Sequence, residues 1–89
     1  MLRLVTTTQF RRDSKLAIKR GLDLSRLGVV VDTLLQEEAL PARYQDHSLS
    51  GPYAGKRECH ISPDWLFVYH VTDGILVALR TGTHADLFG

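Results

Sequence analysis

The chain has 89 residues, 44% of them hydrophobic and 24% charged, which suits one small globular domain and excludes both a disordered chain and a second core. No apolar run approaches the roughly 20 residues of a membrane span, the opening "MLRLVTTTQFRRDSK" has no apolar stretch long enough for a signal peptide, and the lone Cys59 excludes an internal disulfide, so a cytoplasmic, reducing setting is expected. The net charge of +1 is unevenly spread: residues 1–36 carry seven basic against three acidic side chains, a local +4 that fits either an anionic partner or a solvated helix face.

Residues 2–5, "LRLV", alternate and predict a short first strand. From Thr8 to Arg20 the chain is helix-friendly, with Phe10, Ala17 and Ile18 on one side and Gly21 as a natural stop. Asp23 is placed to cap a second helix, in which Leu27, Val30, Val31, Leu34 and Leu35 recur at the spacing of a buried stripe. That helix ends before Leu40-Pro41, because the residue preceding a proline avoids helical geometry. The short link between the two predicts an antiparallel helical hairpin.

Residues 41–56, "PARYQDHSLSGPYAGK", predict an ordered loop anchored by Tyr44, Leu49 and Tyr53. Three strands follow. "RECHIS" (57–62) places Cys59 and Ile61 on one face and Glu58, His60 and Ser62 on the other. "WLFVYHVT" (65–72) is apolar on both faces, and a tight "TDG" turn leads into "ILVALR" (75–80). Gly82 breaks that strand before "THADLF" finishes the sequence. The predicted fold class is α+β in two layers: an N-terminal strand and helical hairpin packed on an antiparallel sheet, in a single domain spanning 1–89.

Three of the four histidines bracket this strand region: His47, His60 and His84. A metal site is disfavoured, since Cys59 and His60 are adjacent in a strand and leave opposite faces, and no CxxC, HxxxH or HxH spacing exists. Cleavage of RNA without a metal suits the same residues better. Histidine titrates near working pH and serves either proton transfer, while an arginine such as Arg80 offers a planar fork to a phosphate. Glu58 shares a face with His60, and Asp64 opens the next turn. Any one of these histidines, taken alone, is more often an ordinary surface residue, and His70 is assigned there. Trp65 and Phe88 are more often core than platforms for stacked bases.

Taken together, "YQDHSLSG", "RECHISPDWLFVYHV" and "RTGTHADLF" resemble the YafQ branch of the RelE/ParE toxin superfamily over residues 44–88. The resemblance implies a RelE-like fold and a ribosome-dependent messenger RNA endonuclease, neutralised by a small cognate antitoxin in a hetero-oligomeric complex. It puts the active-site positions at His47, His60, Asp64 and His84, with Arg80 on the phosphate. Trp65, Phe88 and Glu58 match positions that serve activity or substrate contact. On this reading His84 is the general acid, the base is His60 or Asp64, and His47 gives support; no metal or other cofactor is needed. Arg11, Arg12, Lys15, Lys19 and Arg20 are then available to dock on ribosomal RNA. The chain has no tyrosine after Tyr69, which separates it from the RelE branch. A gyrase-directed ParE-like toxin and a catalytically weak antitoxin-binding module are the alternatives.

Overall fold

The computed structural model describes residues 1–89. In chain order it contains β1 (Arg3–Thr6), α1 (Thr8–Lys19), α2 (Leu24–Leu35), β2 (His47–Ser48), β3 (Arg57–Ser62), β4 (Trp65–Thr72), β5 (Ile75–Gly82) and α3 (His84–Phe88), with 3₁₀ turns at Ala42–Tyr44 and Gly51–Tyr53. The five strands form one sheet in the order β1-β5-β4-β3-β2. β2 to β5 are antiparallel to their neighbours, but β1 runs parallel to β5, so the sheet is mixed rather than antiparallel as predicted. The helical hairpin carries the chain off β1 before the meander forms. β5 therefore returns beside β1 in the same direction. No helix is long and apolar enough to cross a membrane.

Both long helices begin on side-chain caps. Thr7 accepts from Phe10 N (2.9 Å) at the start of α1, and Asp23 accepts from Ser25 N (2.9 Å) at the start of α2. The Thr7 hydroxyl also donates to the Leu79 carbonyl (2.9 Å), which fixes α1 to β5. On α2 the predicted stripe is realised: Leu27, Val30 and Leu34 are buried, and Val31 and Leu35 pack beside them. On α1 the expectation fails at Ile18, which is 60% exposed. Phe10, Asp13 and Ala17 span the inward face, and at 100° per residue Ile18 turns away from it.

β4 is apolar on both faces because it has two layers to fill. Trp65, Phe67 and Tyr69 pack with Cys59, Ile61, Leu76 and Ala78 under α1 and α2. Leu66 and Val68 face the opposite side, where Leu87 of α3 covers them with help from Leu49, Tyr53 and Leu79. A bulge interrupts the β4–β5 ladder: Tyr69 pairs with Ala78 but Val68 pairs with Arg80, leaving Leu79 as the extra residue. Without it Arg80 would share the face of Leu76 and Ala78 and point into the core. The bulge re-aims it to the α3 side of the sheet.

Candidate active site

The strand register places the candidate residues on one face as two rungs. His47 pairs with Glu58, Glu58 with Val68, and Val68 with Arg80. On the next rung His60 pairs with Leu66 and Leu66 with Gly82, two residues before His84. The outcome is a row of imidazoles: ring centroids of His47 and His60 lie 6.3 Å apart, and those of His60 and His84 lie 5.7 Å apart. Residues separated by up to 37 positions in sequence thus face one patch of solvent.

Each end of the row is held by a carboxylate. Asp64 Oδ1 accepts from the backbone N of His84 (2.9 Å) and sits 2.7 Å from His84 Nδ1. A carboxylate only accepts, so Nδ1 carries the proton and Nε2 is presented outward. Those two bonds, the backbone one first, hold the Asp64 carboxyl below the usual carboxylate range. At the other end, His47 Nδ1 lies 2.6 Å from the Gln45 carbonyl and Nε2 lies 3.1 Å from Glu58 Oε2. Both ring nitrogens of His47 thus face acceptor oxygens. Glu58 is 5% exposed, and its Oε2 is 3.8 Å from His60 Nε2 as well. Its Oε1 has no hydrogen-bond partner. Glu58 therefore lies beneath His47 and His60 as a buried counter-group, not as an exposed substrate contact.

Arg80 is preset by a residue that sequence reasoning passed over. Asp13 of α1 takes Arg80 Nε (2.7 Å) and Nη2 (3.3 Å), and also accepts from Thr81 N (3.1 Å). β1 ends its pairing at Ala78, so Asp13 supplies the acceptor that a longer edge strand would have given. The Asp13 bond is the main reason the Arg80 pKa is raised. Nη1 of the fork is left for another anion. The signal for Asp13 was present: it is the sole acid in a basic run and falls three residues after Phe10, on the inward side of the helix.

α3 is pinned in place by a capping box between Thr83 and Asp86, and Asp86 also receives Arg20 Nη1 at 2.6 Å. Arg20 is thus a tether for the helix that carries His84, not a free cation for ribosomal RNA. Arg11 is likewise folded back onto Thr6 and Thr8. Arg12, Lys15 and Lys19 are exposed and make no hydrogen bond or ion pair. Phe88 is 46% exposed and meets Tyr53 edge-on at 5.4 Å, an arrangement that leaves ring surface for a stacked base. Trp65 is 2% exposed and donates Nε1–H to Thr81 Oγ1 (2.9 Å). A ring without an open face cannot stack on RNA, so its role is packing. His70 stands apart, with Nδ1 2.9 Å from the Gly55 carbonyl.

Asp64 and His84 form a hydrogen-bonded pair, His47 and Glu58 lie at ion-pair distance, and no three His, Cys, Asp or Glu groups converge as ligands for one ion.

Comparison with known proteins places this arrangement in a family. Residues 2–89 match the model described as "Bacterial toxin of type II toxin-antitoxin system, YafQ". The chain is 45% identical over 82 residues to the mRNA interferase toxin YafQ of Escherichia coli K12, covering 91% of this chain and 89% of that one. The toxin in an E. coli DinJ–YafQ complex superposes with a TM-score of 0.92 at 41% identity, each chain covered in full. A copper-bound mutant toxin from Helicobacter pylori superposes with a TM-score of 0.95 at 42% identity, over 99% of this chain and all of that one.

Proposed function

The chain belongs to the YafQ family of bacterial type II toxin–antitoxin toxins, and from that premise we propose that it is an endoribonuclease that cuts messenger RNA on the ribosome by acid–base catalysis. The observation that carries the chemistry is the row of His47, His60 and His84 on one sheet face with Arg80 two strands from Glu58. The reading supplies a group for each demand of 2′-hydroxyl attack. His60 takes the 2′-hydroxyl proton as the 2′-oxygen bonds to phosphorus. His84 Nε2 gives a proton to the 5′-oxygen as the P–O5′ bond breaks, with Asp64 fixing the ring's orientation and tautomer. Arg80 stabilises the crowded phosphorane through Nη1. The products are a 2′,3′-cyclic phosphate and a 5′-hydroxyl end.

The structure supports His60 over Asp64 as the base. Asp64 has spent one oxygen on two bonds to His84 and is a weaker base for its lowered pKa. His60 is the centre of the row, its ring flanked by those of His47 and His84 and its Nε2 3.8 Å from Glu58 Oε2.

A cognate antitoxin partner follows from the family and from the complex in which the E. coli relative is found. The cytoplasm is the site of action, since ribosomes and their messages are there. The test is induced expression followed by mapping of messenger ends. Cuts inside translated frames, with EDTA leaving the purified reaction intact at ribosome-preserving magnesium, support the reading. DNA damage with intact messages would favour a gyrase-directed toxin, and absence of any growth effect would favour a silent antitoxin-binding module.

A further inference from the structure

β2 covers β3 only at Arg57 and Glu58, so the edge of β3 is open from Cys59 onward. Along that opening lies a groove of about 240 Å³, lined by Arg26 and Val29 of α2, Arg43 and Tyr44 of the first 3₁₀ turn, and His60 and Ile61 of β3. Neither His84 nor Asp64 lines it, so it leads from His60 away from the acid end of the row. Its charge is unbalanced. Neither arginine forms a salt bridge: Arg26 gives Nη2 to the Ile61 carbonyl (2.9 Å), and Arg43 lies over the Tyr44 ring (4.7 Å) with Nη2 on its hydroxyl (3.3 Å). Each guanidinium has five N–H donors, so most remain available.

Two unpaired guanidinium forks beside a catalytic histidine suit a phosphodiester, and a guanidinium or tyrosine plane suits an unstacked base. We infer that this groove is the subsite for the nucleotide immediately upstream of the cut. Arg26 and Arg43 hold its 5′-phosphate, and the Arg43–Tyr44 pair supports its base. The direction follows from the chemistry: the ribose at the general base is the one whose 2′-hydroxyl attacks, and His60 forms the inner wall. The inference rests on the nuclease reading with His60 as base, and it assigns function to Arg26, Arg43 and Tyr44, which the catalytic steps do not use.

Arg43→Gln is the informative variant, because Arg43 touches only its neighbour Tyr44 and its loss spares the Arg26–Ile61 bond. Ribosomes are programmed with a message carrying either the natural phosphate or a neutral methylphosphonate 5′ of the upstream nucleotide, and kcat/KM is measured. The parental protein should lose roughly a hundredfold on the methylphosphonate, about tenfold for each of the two exposed charge-assisted contacts. Arg43→Gln should lose about tenfold on the natural message and only about tenfold more on the neutral one, the share that Arg26 keeps. Equal losses from the methylphosphonate in both proteins, or a variant that cuts like the parent, overturn the subsite. So does a variant that cuts normally but escapes its antitoxin, which would make the groove a seat for an acidic protein segment. Failure of the parental protein to cut either message would instead bring down the nuclease reading, and the subsite with it.

Discussion

Trp65 separates two explanations of one phenotype. If its ring contacted RNA, replacement would lower binding and leave the fold alone. Its burial and its bond to Thr81 predict the reverse. Truncating a buried tryptophan to alanine costs about 3–5 kcal/mol. A chain of 89 residues at roughly 0.05–0.15 kcal/mol per residue has about 4–13 kcal/mol in all, so Trp65→Ala loses a large part of it. Trp65→Phe is milder. It forfeits one neutral hydrogen bond, about 1 kcal/mol, and some packing around the lost ring atoms, while the Thr81 hydroxyl keeps its bond to the Leu66 carbonyl (2.7 Å). At about 4–8 °C of Tm per kcal/mol for a domain of this size, Trp65→Phe should melt roughly 5–15 °C lower. Calorimetry gives the shift, and cleavage on ribosomes is then measured well below both transitions. There the phenylalanine variant should cut within a few-fold of the parent. A variant with parental Tm and lost RNA binding would refute the packing assignment.

Two further outcomes follow from the charges. Reversing Lys15 and Lys19 to Glu should weaken co-sedimentation with ribosomes, with the difference fading as salt rises because exposed charges are screened over about 8–10 Å; unchanged co-sedimentation would make them a solvated face. Asp86, beside Arg20, and Asp64, beside His84, both have folded pKa values below the unfolded value of about 3.9, so their stabilisation is complete above about pH 4 and is lost as pH falls through the folded values. The urea midpoint should therefore drop on acidification below pH 4, and Arg20→Met should shrink that drop; an identical acid profile for parent and variant would contradict the tether.

The meander was legible because its strands alternate or run apolar between turn residues, and the α2 stripe because helical spacing repeats over several turns. β2 was not, since two residues give no periodicity; His47 enters the site only through pairing with Glu58. The histidine positions could be read from the motif blocks, but their division of labour could not. The Asp64–His84 bond spans 20 residues and the Arg80–Asp13 bond spans 67, and local pattern does not encode such contacts. The bulge at Leu79 changes the face of Arg80, a detail that strict alternation would have read the opposite way. Arg20 looked like a free cation because Asp86 lies 66 residues away. The family resemblance implies a role in activity for Trp65, yet its burial with Phe67 and Tyr69 on the same strand face gives it a packing role that the motif alone does not reveal.

The claim that His84 is the acid and His60 the base is tested most directly by changing the leaving group. A message with sulfur in place of the bridging 5′-oxygen at the cut expels a thiolate, which needs no proton from the enzyme. On the natural message, His84→Ala and His60→Ala should each lose about 10²–10⁴ in rate. On the sulfur-bridged message, His84→Ala should recover to near the parental rate and His60→Ala should stay slow. Equal deficits for the two variants on both messages, or rescue of His60→Ala alone, would contradict the assignment.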